Sequence, residues 1–554
     1  MRNIILKYIT FAAVSLLMLG ACVNDLDVEP IDPNLSTPDK VYDSEEAFFQ
    51  VLSKVYAGFA TSGQQGPAGQ GDLGGFDEGH SQYWRGYFVV QELPTDECVN
   101  GWADGNLPKM SQITWGANNE FIRSFYYRAL YQVSVANEFI RQANTYGKPE
   151  YTNLPQYIAE ARFLRALAYW HALDLFGNGI PFVTEEDEVG ATLPEPAGDS
   201  PRGPELFNYI ESELLDIVGD GEADTDQILL NPRQGYVGQA DKAAAWMLLT
   251  KLYLNHKTYL GSEDNAYYTK ARTYVNKVIN DGGYSLITDA DASIDDVYSP
   301  YEFLFLADNF RSDNEIIFSI NYDGLNSQTW GGMTYVVNAA IGGEMNADNY
   351  GTNGGWGGNR TTKALVEKFA DGDARALWFT EGQSLDILNQ DQFTDGYAVV
   401  KYKNRTRDGG YGQNGAENDD GVMQATSPFV DINVPVFRLA DAYLMAAEID
   451  LRLDGAVSSA NLNHLNEITT RAGVSFPATV DLDYILDERA RELYWECHRR
   501  TDLIRFDKFT SGDYVWPLKG NDLNGKAVDD KFNLMPIPFT EITANPNLKQ
   551  NPNY

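Results

Sequence analysis

Leu486-Asp487-Glu488-Arg489-Ala490-Arg491-Glu492-Leu493-Tyr494-Trp495-Glu496-Cys497-His498-Arg499-Arg500-Thr501-Asp502-Leu503-Ile504-Arg505 is the stretch on which the fold turns. Leu486, Ala490, Leu493 and Cys497 fall on one stripe at helical spacing, and Ile504 rejoins it further on. Beside the stripe runs a ladder of opposite charges. Glu488 can reach Arg491, Glu496 can reach Arg499 or Arg500, and Asp502 can reach Arg505. One exposed pair contributes only a few tenths of a kcal/mol. A dense run of them beside bulky Tyr494 and Trp495 predicts a helix packed on several neighbours, its charges partly buried and paired. Glu488, Glu492 and Glu496 also form a turn-spaced row of acids. Each has an arginine within one turn, which holds it ionised and makes it a poor proton donor.

The charges themselves carry a resemblance. Glu488-Arg489-Ala490-Arg491-Glu492-Leu493, then Glu496, Arg499 and Asp502-Leu503-Ile504-Arg505, resembles the signature helix of the SusD/RagB family, outer-membrane glycan-binding lipoproteins of Bacteroidetes. The tail from Leu534-Met535-Pro536-Ile537-Pro538 through Asn545-Pro546-Asn547-Leu548 to Asn551-Pro552-Asn553-Tyr554 resembles the family's ending, with Asn553 where a glycine is usual. Glu160-Ala161-Arg162-Phe163-Leu164-Arg165-Ala166 and Leu175-Phe176-Gly177-Asn178-Gly179-Ile180-Pro181 are similar to the family as well. The likeness runs the length of the chain.

Helical periodicity dominates outward from the signature. Ser44 before Glu45 and Glu46 reads as an N-cap with an acidic first turn. Helices are predicted over 119–143, 154–176, 204–218, 239–254, 267–280, 438–453 and 456–472, the second stopping at Gly177. Small residues such as Ala161, Ala168 and Ala244 let paired helices approach closely, so the fold class is mainly α, a tetratricopeptide-like superhelix. The resemblance implies the same architecture. A loop-rich insertion over 282–433, with short strand-like runs at 316–321 and 397–402, splits a helical body over 41–281 and 434–554.

At 554 residues with 43% hydrophobic content, the chain can bury a large core. A net charge of −37 argues against nucleic acid and against electrostatic docking on anionic lipid. The 3 cysteines, Cys22, Cys98 and Cys497, form no disulfide framework, and Cys497 on the apolar stripe reads as a core thiol. Arg2 and Lys7 precede an apolar run that ends in Leu19-Gly20-Ala21-Cys22. This reads as a signal peptide over 1–21, too short for a spanning helix. A cysteine after Leu-Gly-Ala resembles a bacterial lipobox, which implies lipid attachment at Cys22. Residues 22–40 are acidic and proline-punctuated, a tether.

Aromatics make up 13% of the chain, with 33 Tyr and 10 Trp. Two loop-rich regions concentrate them. One runs from Phe76 through Tyr83-Trp84-Arg85 and Asn100-Gly101-Trp102-Ala103-Asp104-Gly105-Asn106 to Trp115. The other holds Thr329-Trp330-Gly331-Gly332 and Gly354-Gly355-Trp356-Gly357-Gly358-Asn359-Arg360. A tryptophan among glycines and amides either packs onto the helical body or presents a face to solvent, as carbohydrate sites do. For any single one, core is the commoner fate. These stretches resemble the starch-binding branch of the family, in which an arc of aromatics cradles a helical glucan. The resemblance implies Trp102 and Trp330 as the platform, with Arg85, Asn106 and Asp77 beside it. Tyr301 and Phe310 are candidates for a third aromatic.

The enzyme readings are thin. Some carboxylate pair is always available among 79 acids, so their number says nothing of a glycosidase. There is no His-Glu-x-x-His motif, and the 5 histidines supply metal catalysis poorly. Asp289-x-Asp291 begins like a calcium loop, but Ile294 replaces the glycine and Pro300 the bidentate glutamate. No cofactor is expected, while an irregular calcium site in the acidic loops stays open. The reading is therefore a non-enzymatic surface receptor that binds starch or maltooligosaccharides. The resemblance implies a SusC-like TonB-dependent transporter as partner and an outer-membrane location through the lipid anchor. The alternatives are a receptor for another glycan or for peptides, and a secreted glycoside hydrolase.

Overall fold

The computed structural model describes residues 37–554. The signal peptide, Cys22 and nearly all of the tether lie outside the described residues. Helix α1 (Glu45–Ala60) starts on Ser44, whose hydroxyl accepts the Ala47 amide as expected. After it come α2 (Tyr83–Gln91), α3 (Glu120–Tyr146), α4 (Leu154–Phe176), α5 (Glu205–Val218), α6 (Lys242–Leu254) and α7 (Asn265–Asp281). Then follow α8 (Gly332–Ala339), α9 (Leu439–Asp454), α10 (Ser459–Arg471), α11 (Leu482–Leu493) and α12 (Arg499–Arg505).

Each helix packs on the next: α3 on α4, α4 on α5, α5 on α6, α6 on α7, α7 on α9, and α9 on α10 and α11. This is the stacking of helix pairs that the small residues predict. Ala161, Ala166, Ala168 and Ala243 to Ala245 are all fully buried at these seams. Helix α2 is buried along its whole length and touches α1, α3, α8 and α12, so it ties the first part of the array to the last. Among the described residues, no helix is long and apolar enough to cross a membrane.

The signature stretch is not one helix. α11 ends at Leu493 and α12 begins at Arg499. Between them Trp495 and Cys497 adopt left-handed φ of 63° and 65°, which costs a bulky residue about 1–2 kcal/mol. Tertiary hydrogen bonds hold the break. The Trp495 amide donates to Glu97 Oε2 at 3.1 Å, the Trp495 indole to the Glu97 carbonyl at 3.0 Å, and the Cys497 amide to Glu92.

Two of the three predicted charge pairs form: Glu488 with Arg491 at 2.6 Å, and Asp502 with Arg505 at 2.7 Å. The third does not. Glu496 instead takes Lys401 and Arg438, both at 2.7 Å, while Arg499 turns to Asp96 at 2.7 Å. The break rotates Glu496 away from the arginines that follow it. Nearly all of this network is buried rather than half-exposed, and it reaches Arg375, Lys401, Arg438, Asp441 and Asp96 on four other segments.

The segment between α7 and α9 is anchored by short antiparallel ladders. β1 (Val99–Asn100) pairs with β3 (Asn359–Arg360), in register Val99 to Arg360 and Asn100 to Asn359. β2 (Ile316–Ile320) pairs with β4 (Val434–Arg438), which runs directly into α9. The strand-like run at 397–402 shrinks to Ala398–Val399, paired with Trp378–Phe379.

Candidate functional site: a tryptophan arc on the β1–β3 ladder

The two aromatic-rich regions meet at the β1–β3 ladder. The Asn100 side chain accepts the Trp102 amide at 2.7 Å and donates to Asn359 Oδ1 at 2.7 Å, so one side chain shapes the turn that carries Trp102. The Trp102 indole donates to the Trp356 carbonyl at 3.1 Å. It lies flat on Gly358, where a Cβ would stand 2.6 Å from the indole Cε2. Any side chain there would displace the ring.

Trp330 precedes α8. Its amide donates to Glu78 Oε2 at 2.9 Å and its carbonyl accepts from Arg85 Nη1 at 3.3 Å. Its ring rests on buried Phe429, with centroids 4.8 Å apart, and remains 39% exposed. The structure adds a residue that the sequence reading left out of the platform. Trp356 stands between the other two, 6.4 Å from Trp102 and 6.1 Å from Trp330, turned by 44° and 51° respectively. All three tryptophans keep exposed surface. The signal was present, since Trp356 sits among glycines much as Trp330 stands before Gly331 and Gly332, but only the tertiary approach of 100–102 to 356–359 shows that it fills the gap.

Both candidates for the third aromatic fail. Tyr301 is fully buried and donates its hydroxyl to the Glu492 carbonyl at 2.6 Å, so it belongs to the core. Phe310 is exposed on a 3-10 turn and stacks on none of these rings.

Polar groups converge beside the rings. Arg85, on α2, lies over Tyr335 at 4.4 Å and over Trp102 at 6.0 Å. Burial pulls its pKa down, while Tyr335, Asp77, Glu78 and Asp104 hold the charge in place. Its Nε is buried without a partner among the described residues. Asp77 is exposed, with one carboxylate oxygen accepting the Gly79 and His80 amides and the other free. Burial and then the Arg85 charge lower the His80 pKa to about 4, so its imidazole is neutral.

The structure therefore brings Asp77, Arg85, Trp102 and Trp330 together. Asp104, on the Trp102 loop, joins them through its field at Arg85 and His80. Asn106 closes the same loop. Its carbonyl accepts from Asn119 at 3.2 Å, and its side-chain amide bonds no protein group among the described residues. The whole is three partly exposed indole rings with the buried Arg85 guanidinium beneath them and the exposed Asp77 carboxylate beside it, while Asn106 lies on the Trp102 loop. It can stack apolar faces and bond hydroxyl groups.

Comparisons with known proteins find relatives over the whole chain. The family model described as the SusD family matches residues 378–554. The chain is 35% identical to the starch-binding protein SusD of Bacteroides thetaiotaomicron, over 99% of both proteins. It is 24% identical to a SusD-like protein of Bacteroides ovatus, over 68% of this chain and 64% of that one. Among solved structures, a surface glycan-binding protein A from Bacteroides thetaiotaomicron in complex with laminarihexaose aligns with a TM-score of 0.66 at 19% identity, covering 91% of this chain and 99% of that one. A SusD superfamily protein from Parabacteroides distasonis aligns with a TM-score of 0.66 at 20% identity, covering 92% and 99%. At such identities these structures speak for the mainly helical fold alone.

Proposed function

Because this chain belongs to the SusD family, we propose that it is a non-catalytic receptor for an α-glucan such as starch or maltooligosaccharides. The observation that carries the reading is the row Trp102, Trp356, Trp330, whose successive rings turn by 44° and 51°. A flat, ribbon-like polysaccharide cannot lie face-on against three rings so inclined. A glucan that winds along its length can present a new sugar face to each. The starch-binding protein SusD, 35% identical over nearly the full chain, supports the same ligand class.

In this reading Arg85 and Asp77, beside the rings, and Asn106, on the Trp102 loop, bond sugar hydroxyls. Each stacked ring contributes about 1–3 kcal/mol, by analogy with base stacking. A few such contacts at an open surface correspond to roughly micromolar-to-millimolar affinity, suited to capture followed by release. In this reading Cys22 carries the lipid, the body faces the cell exterior at the outer membrane, and the glucan passes to a SusC-like TonB-dependent transporter.

The test is affinity electrophoresis of the soluble form lacking residues 1–22. Amylopectin and pullulan should retard it, while levan, xylan and pectin should not. Trp102→Ala with Trp330→Ala should abolish retardation without changing the circular dichroism spectrum. Retention of the double variant would remove these residues from the site. Retardation by another glycan would replace the ligand. Release of reducing ends from labelled starch would overturn the non-catalytic assignment.

A further inference from the structure

The tryptophan row does not mark the end of the aromatic surface. Phe393 lies on the loop 387–395, outside both the buried core and the partly buried apolar side chains packed on that core. Its ring rests instead on backbone. At Gly343 and at Gly357, the atoms nearest to an added Cβ belong to Phe393, at 3.7 Å. Both glycines have left-handed φ, 58° and 57°, where side chains are disfavoured. At Gly342 a Cβ would be 3.0 Å from the same ring. Glycines thus surround a half-buried phenyl that no side chain covers from those positions, and Gly357 is the residue directly after Trp356.

The loop is held rigidly to the tryptophan site. Arg360, fully buried, donates from Nε to the Asp395 carbonyl at 2.8 Å, from Nη2 to the Gln390 carbonyl at 2.8 Å, and from Nη1 to the Gly358 carbonyl at 3.0 Å. No carboxylate lies within ion-pair distance of this guanidinium among the described residues, so its charge is spent on main-chain carbonyls of the 387–395 loop and of Gly358. Gln390 adds a bond to the Asn100 carbonyl at 3.1 Å, beside the Trp102 turn. Asp395 closes the loop by accepting the Leu388 and Asn389 amides. A ring placed this way needs no ordering on contact, so its stacking energy is available to a ligand.

We propose that Phe393 is a further sugar-stacking position, one that extends the site across Gly357 beside Trp356 and makes affinity depend on glucan length. This rests on the α-glucan reading above. A short oligosaccharide fills the three tryptophans, and only a longer chain reaches Phe393.

The test compares wild type, Phe393→Ala and Trp330→Ala by isothermal titration against maltotriose and maltoheptaose. Phe393→Ala should bind maltotriose as wild type does and maltoheptaose roughly tenfold more weakly, the loss of one stacked ring. Its melting temperature should not move, since the ring is outside the core. Wild-type affinity of Phe393→Ala for maltoheptaose would overturn the inference, and so would an equal loss on both sugars. If Trp330→Ala loses both ligands while Phe393→Ala loses neither, the glucan reading stands and this one falls. If wild type binds neither sugar, both fall.

Discussion

Glu492 shows how much a single carboxylate can organise. It accepts from Arg438 at 2.7 Å, from Arg375 at 3.1 Å and from Arg471, and none of the four side chains is appreciably exposed. Burial alone would raise its pKa, but the three guanidinium groups outweigh that and hold it well below the usual carboxylate range. Replacing Glu492 with Ala takes one carboxylate from three buried cations, leaving Arg438 with Glu496, Arg375 with Asp373 and Glu488, and Arg471 with Glu315. Unfolding in urea should show a loss of about 3–5 kcal/mol. A loss under about 1 kcal/mol would mean that the arginines find other partners. Asn553, which stands where the resembling family has glycine, has φ of 69°. Asparagine is among the few residues that tolerate that region, so the departure from the family pattern leaves the backbone unchanged.

The smallest element in the protein matters most to its site. β1 and β3 hold two residues each, yet they bring Trp102 onto Gly358 and put Trp356 beside both other tryptophans. Gly358→Ala should push the Trp102 indole off its seat, because the new Cβ would stand 2.6 Å from it. Amylopectin retardation should fall roughly tenfold, about one stacking contact, while the helical circular dichroism stays unchanged. Normal retardation would show that the ring shifts without consequence. At the same scale, the break at 494–498 explains why the charge ladder was only partly legible. Periodicity sees Glu496 and Arg499 as neighbours on one helix. It cannot see that Glu92 and Glu97, some four hundred residues earlier, bond the amides of Trp495 and Cys497 and turn the chain.

Across the whole molecule, burial of ionisable groups sets the response to pH. Burial raises the Glu92 pKa to about 7, and burial and then the Glu92 charge raise Glu97 beside it well above the usual carboxylate range. The folded state thus keeps a proton on Glu92 that the unfolded chain releases near the ordinary carboxylate range. That contribution is complete at low pH and is lost as pH rises from about 4.5 to about 7, worth about 3 kcal/mol at most. All five histidines work the other way. Burial lowers each of them, His171 to about 3 and His80 to about 4, so stability falls as pH drops below the imidazole range. The difference between wild type and Glu92→Gln isolates the first effect. Wild type should lose stability relative to the variant between pH 4.5 and 7.5, read from urea midpoints at each pH. A constant difference would mean that Glu92 holds no proton in the fold.

The sequence alone was enough for the helical body, the seams of small residues, the paired character of the signature charges and the clustering of aromatics around Trp102 and Trp330, although 83–91, read there as loop, is the buried helix α2. These follow from period, residue size and local spacing, which act between near neighbours and are written in order along the chain. The likeness of Trp102, Trp330, Arg85 and Asp77 to a known branch named four residues that the structure brings together at the candidate site. Only the tertiary structure decided that Trp356 stands between Trp102 and Trp330, that Tyr301 is core, that Glu496 pairs with Lys401 and Arg438, and that Phe393 lies half-buried against glycine backbone. Each of these depends on segments far apart in the chain meeting at one place, through buried hydrogen bonds and ion pairs whose partners no local pattern names.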